Sequence, residues 1–119
     1  MQVVHESVNG TTETIATSVE TADSFLAKAR GLMFRRTVPD EYALVFRFSS
    51  PKRRSIHTLF VFVPLDVVWV VDGVVERVER LNPWRGFASA RADVIVELSA
   101  GEGASIEPGD RLHLTAPGD

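Results

Sequence analysis

Residues 55–69 read Ser55-Ile56-His57-Thr58-Leu59-Phe60-Val61-Phe62-Val63-Pro64-Leu65-Asp66-Val67-Val68-Trp69, and this stretch decides the fold class. Two alternating sets are both largely apolar: Ile56, Thr58, Phe60 and Phe62 on one side, His57, Leu59, Val61 and Val63 on the other. A strand apolar on both faces belongs inside a layered or closed sheet, not on a half-wet one. The spacing predicts strands over Ser55–Phe62 and Leu65–Val71, paired as a hairpin that turns at Val63-Pro64. Neither apolar run approaches the ~20 residues that a membrane-crossing helix needs.

Working outward, the period of two continues. Tyr42–Phe48 precedes the central stretch, and Asp72-Gly73 turns Leu65–Val71 into Val74–Leu81. Val94–Leu98 and Arg111–Leu114 follow. At the other end, residues 2–8 and 12–19 flank Asn9-Gly10, two residues that tolerate positive φ and so signal a hairpin. One helix is expected, over residues 22–30. Thr21 is placed to cap it, Asp23 lies in its first turn, and Lys28 and Arg30 lie in its last. Gly31 suits the left-handed residue after a helix. The reading is a mostly β, single-domain, sandwich- or barrel-like fold with one short helix.

The chain has 119 residues, 45% of them hydrophobic, which is one domain with a real core. It contains no cysteine, so disulfides, thiolate metal sites and a cysteine nucleophile are excluded. The N-terminus, Met1-Gln2-Val3-Val4-His5-Glu6-Ser7, lacks the basic and apolar segments of an export signal. A cytoplasmic protein without membrane association is expected. The net charge of −3 disfavours a dedicated nucleic-acid binder, whose affinity rests on neutralising phosphates. Basic residues nevertheless cluster at Arg30, Arg35 and Arg36 and at Lys52-Arg53-Arg54.

Several stretches resemble the signature of an uncharacterised family, domain of unknown function 192. They are Ala29-Arg30-Gly31-Leu32-Met33-Phe34-Arg35, Tyr42 to Phe48, Ser55 to Trp69, Leu81-Asn82-Pro83-Trp84, Val96 to Gly101, and Pro108-Gly109-Asp110. Pro64-Leu65-Asp66-Val67-Val68 is the most specific piece, and the resemblance covers about residues 15–115. Ala43 stands where the family commonly has glycine. His57-Thr58 stands where many members carry Met-Lys-Asn-Thr, so the chain is similar to a His-containing subgroup. The resemblance implies a small β-sandwich or barrel. It implies no activity, because none is established for the family, and it carries over no catalytic residues.

The residues that bear chemistry are His57, Asp66, Trp84, Glu97 and the arginines. In the predicted hairpin Asp66 faces Val61, and His57 lies four residues further along the same face, ~13 Å away at strand rise. That distance counts against a His57–Asp66 dyad. The Asp72-Gly73 turn, counted without irregularity, sets Asp66 opposite Glu79 with Arg77 on the diagonal. Asp66 is therefore read as held by an arginine or as capping backbone amides near Pro64. His57 reads as a core or groove histidine before a ligand. Glu97 reads as an outward charge or an arginine's partner. No histidine spacing suggests a metal centre, and no cofactor is expected. There is neither a phosphate-binding glycine loop nor a nucleophile elbow.

Three functions follow from these residues. The first is a non-enzymatic binding or accessory module holding a small polar or anionic ligand, or a protein partner, through Arg53, Arg54, His57, Asp66 and Trp84. The second is a hydrolase using Asp66 with Glu97 or His57 as acid and base, which requires those groups to share a cleft. The third and weakest is nucleic-acid binding through merged basic clusters.

Overall fold

In the computed structural model, residues 1–22, 32–33 and 37–115 are described. Eight strands follow one another: β1 Gln2–Glu6, β2 Thr12–Ala16, β3 Ser18–Ala22, β4 Tyr42–His57, β5 Leu65–Val71, β6 Val74–Leu81, β7 Phe87–Ser99 and β8 Arg111–Thr115. They form one sheet in the order β2-β1-β8-β6-β5-β7-β4-β3. All neighbouring pairs are antiparallel except β3 with β4, which run parallel.

The first and last strands of that order, β2 and β3, are separated in the chain by Thr17 alone. Two peptide steps bring the two ends of the sheet within ~8 Å of one another, so the sheet is curled into an open barrel. This bears out the mostly β, barrel-like expectation. The expected helix lies, beyond Ala22, outside the described residues, and so do Arg30, Arg35 and Arg36. Thr21 and Ala22, expected to begin it, instead pair with Val45 and Phe46 in β3.

The alternation of β5 divides the core in two. Val68 and Val70 point into the barrel with Val3, Ala43, Val45, Val96, Leu98 and Leu112. Leu65, Val67 and Trp69 point to the outer face, beside Leu44, Phe46, Ile95 and Leu81. This outer face is itself covered. After a register shift between Arg47 and Lys52, the distal halves of β4 and β7 continue as a ribbon that folds back across it. Ala88, Ala92 and Ile56 of the ribbon join Trp69 in one apolar cluster. The Trp69 indole donates to the Arg54 carbonyl at 3.0 Å, and Arg77 donates to the Ser89 carbonyl at 2.9 Å.

Two sequence expectations are corrected here. Ser55–Phe62 is not a separate strand: β4 runs unbroken from Tyr42 to His57, and residues 58–64 form a looping return to β5. The expected hairpin between residues 56–62 and 65–71 does not form, because β5 pairs with β6 and β7 instead. The physical reason is burial. Once the ribbon covers the outer face, alternate residues on its far side meet solvent, and the chain must cross back to reach β5.

Candidate functional site

The loop 58–64 and the loop 82–86 meet at the end of the ribbon, and Thr58 joins them. Its amide donates to the Gly86 carbonyl at 3.0 Å, and its carbonyl accepts from the amides of Trp84 at 2.9 Å and Val61 at 3.0 Å. Its hydroxyl donates to the Asn82 carbonyl and accepts from the Gly86 amide, both at 2.6 Å. Thr58 is wholly buried. Gly86 fits because it has no side chain: a Cβ there would lie 2.7 Å from Leu81 Cβ and 2.8 Å from Thr58 Oγ1.

The pinned loops carry aromatic rings outward. Trp84 meets Phe60 and Phe62 edge-on, with ring centroids 5.1 and 5.5 Å apart. Phe60 and Trp84 hold left-handed backbone conformations, at φ 62° and 69°, which cost a non-glycine residue of order 1–3 kcal/mol each. Leu59, Phe60, Phe62, Trp84 and Phe87 are all substantially exposed, Trp84 by 44% and Phe87 by 69%. Large apolar side chains gathered at one solvent-facing end are the mark of an interaction surface.

Of the predicted ligand residues, His57 and Trp84 come to this end. His57 closes β4 opposite Phe87, and its Nδ1 accepts from the Leu59 amide at 3.2 Å. Arg53 lies on the same ribbon, exposed. Arg54 is occupied internally: it donates to the carbonyls of Ala92 at 2.9 Å and Ser50 at 2.8 Å and lies over the Phe48 ring at 3.6 Å.

Asp66 is elsewhere. It is 3% exposed, with Arg80 Nε donating to Oδ1 at 2.8 Å and the amides of Gly101 and Gly103 donating to Oδ2 at 2.9 Å. Burial alone would raise its pKa. The hydrogen bonds from Arg80, Gly103 and Gly101, with the Arg80 charge, outweigh that and hold the carboxyl below its ordinary value. Asp66 was expected to be held by an arginine, and it is, but the arginine is Arg80 rather than Arg77. A shift between Trp69 and Val70 adds one residue to β6 and sets Asp66 against Arg80, not Glu79. Arg77 pairs with Glu79 at 3.2 Å.

Glu97 is also buried, 4% exposed. It pairs in register with Val67 and Leu44, so it points to the outer face, while Asp66 points the other way. It is neither an outward charge nor an arginine's partner among the described residues. Burial pushes its carboxyl up to about 7. The sheet thus separates Asp66 from Glu97. Among the described residues, no group of three His, Cys, Asp or Glu side chains is placed to hold a metal ion.

The sequence did not mark Phe60, Phe62 and Phe87 as surface residues, nor Thr58 as the buried link between the loops. Pro64 within an apolar run and the Pro83-Trp84-Arg85-Gly86 turn were the available signals. It also missed a buried pair, His5 Nε2 with Asp110 Oδ2 at 2.7 Å, which ties β1 to the turn before β8.

The family model DUF192, described as an uncharacterized ACR, matches residues 5–114. A UPF0127 protein of Pyrococcus horikoshii is 38% identical over 116 residues, covering 92% of this chain and 96% of that one. A Sinorhizobium meliloti protein of known crystal structure, provisionally described as a transcription regulator, has a TM-score of 0.83 at 25% identity. The alignment covers 94% of this chain and 91% of that one. A Novosphingobium aromaticivorans protein of unknown function has a TM-score of 0.80 at 24% identity over 96% of this chain and 84% of that one; it shares the fold. No helix among the described residues is long and apolar enough to cross a membrane.

Proposed function

The chain belongs to the DUF192 family, and on that premise we propose that it is a non-enzymatic binding module whose recognition surface is the aromatic end of the ribbon. One observation carries this reading. Thr58 locks two loops together so that Trp84, Phe60 and Phe62 form an exposed, mutually packed cluster on strained backbone. Strain of this kind persists only where the surroundings impose it, and it gathers at sites that bind. Large apolar rings left this exposed are explained by a ligand that covers them.

The chemistry around the cluster suits recognition rather than turnover. Asp66 is engaged by four donors and Glu97 faces into the outer core on the other side of the sheet, so these two carboxyls do not form an acid–base pair. His57, Trp84 and Arg53 remain the binding candidates, in a soluble cytoplasmic setting. The provisional regulator description of the Sinorhizobium relative also fits a binding role.

The test is a thermal-shift screen of sugars, nucleotides, carboxylates and short peptides. A ligand at ~100 times its Kd adds about 2.7 kcal/mol, several degrees for a domain of this size. The reading predicts a shift that disappears in Trp84→Ala and Phe60→Ala. A shift unchanged in both variants, or no shift with any compound, would overturn it.

A further inference from the structure

Beyond the aromatic end, the ribbon's outward face carries residues in cross-strand rows. Ala88, Ala90 and Ala92 pack toward the core, so the alternate residues face solvent. They are Arg53 opposite Arg91, Ser55 opposite Ser89, and His57 opposite Phe87. The Arg53–Arg91 row is the anomaly. Like charges directly opposite on a sheet are destabilising, and both residues are exposed. Neither makes an ion pair or side-chain hydrogen bond among the described residues. The acid nearest along β7 on the same side is Asp93, and it accepts from the Asp72 amide at 3.1 Å. A chain of net charge −3 thus sets two guanidiniums side by side with no ion-pair partner among the described residues.

Resting on the binding reading above, we propose that this face binds a nucleotide, with a phosphate between Arg53 and Arg91 and a base against Phe87 and His57. Two guanidinium forks carried by directly opposed residues can match the several acceptor oxygens of a phosphate. The Ser55–Ser89 row, about 7 Å along the ribbon by strand rise, adds two hydroxyls between the phosphate and the rings. The Phe87 ring, 69% exposed, offers a stacking face of the kind that single-stranded nucleic acid uses. Because the Leu59 amide donates to His57 Nδ1, the neutral ring carries its proton on Nε2, a donor aimed away from the loop. The Arg row and the ring row lie four residues apart, ~13 Å. Two sources supply a phosphate and a base at that separation: a nucleoside triphosphate with its tail extended, or a short single strand.

Isothermal titration calorimetry reports binding at the face directly. The full chain is titrated with ATP, with a short oligothymidylate, and with polyglutamate as an acidic polypeptide. The expected result is salt-sensitive binding of ATP or the oligonucleotide, weakened about tenfold or more in Arg53→Ala and in Arg91→Ala. Response to ATP alone identifies a mononucleotide; response to the strand alone identifies nucleic acid. Both variants keep or raise the wild-type melting temperature, since each removes a like-charge repulsion; a purely structural pair would lower it. A nucleotide response unaffected by either substitution overturns the proposal. So does a response confined to polyglutamate, which assigns the arginines to an acidic protein partner. If neither nucleotide responds while a screened compound still shifts stability through Trp84, this proposal fails and the binding module stands. If no compound depends on Trp84, the binding reading fails with it.

Discussion

Thr58 and Gly86 bond each other through backbone and side chain: the Thr58 amide donates to the Gly86 carbonyl at 3.0 Å, and the Gly86 amide donates to the Thr58 hydroxyl at 2.6 Å. Together they close the ribbon onto the ends of β5 and β6 and set the attitude of Trp84. Gly86→Ala drives a Cβ to within 3 Å of Leu81 Cβ, Thr58 Oγ1 and the Asn82 carbonyl, two of them backbone or near-backbone atoms that yield little. Thr58→Val keeps the volume but removes the hydroxyl that bridges the Asn82 carbonyl and the Gly86 amide, leaving them only their longer bond to each other at 3.2 Å, at about 1–3 kcal/mol in all. Both variants are expected to lose stability in urea denaturation and to lower the fluorescence anisotropy of Trp84. Unchanged anisotropy would show that the loops are held by something else.

Asp66 fastens the loop after β7 through the amides of Gly101 and Gly103. Asp66→Asn keeps the shape and weakens the charge-assisted bonds, so at neutral pH it should cost about 1–3 kcal/mol. The sign with pH follows from the lowered folded-state value. Stabilisation by the carboxylate is present above the ordinary Asp range and is lost as pH falls through and below it. Wild type and Asp66→Asn should therefore converge in stability under acid. A gap that persists undiminished at low pH would contradict this.

Glu97 behaves oppositely. Its folded-state value near 7 lies above the ordinary 4.5, so its contribution is present below pH 4.5 and lost as pH rises through 7. The difference corresponds to roughly 3 kcal/mol between those limits. Glu97→Gln removes the titration and should gain on wild type by a margin of that order between pH 4.5 and pH 8. Chemical denaturation of both proteins at the two pH values measures it. Parallel behaviour would mean that the carboxyl ionises without penalty.

Asp110 accepts from His5 and from the amides of Val8 and Glu107. The His5 hydrogen bond, working against burial and joined by the two amides, holds its carboxyl below the ordinary range. Asp110→Ala leaves those donors bare. Amide hydrogen exchange at Val8 and Glu107 should accelerate while exchange in β5 stays slow. Equal acceleration in β5 would indicate global unfolding instead of a local latch.

Much of the architecture was legible in the residues. The Asp72-Gly73 turn and the period-two apolar runs of β5 and β6 are local signals, and the β1–β2 hairpin follows from Asn9-Gly10 with Val3 buried and Thr12 to Thr14 exposed. The error over Ser55–Phe62 came from reading apolar character as burial. Phe60 and Phe62 have the composition of a core strand, yet they lie on a loop that faces water. Asp66 was legible in kind but not in partner, because a single extra residue in β6 rotates the register and no local signal announces it. Arg91 and Phe87 gained meaning only from standing opposite Arg53 and His57.

The sequence by itself determined the fold class and the family, because hydrophobic alternation and turn chemistry act over neighbouring residues. Only the tertiary structure decided which residues could act together. It put Asp66 and Glu97 on opposite faces of one sheet, folded the β4–β7 ribbon over Trp69, and left an arginine pair and an aromatic cluster in solvent. The physical reason is that strand register and sheet curvature are set by packing between residues far apart in the chain, and a shift of one residue exchanges one face for the other.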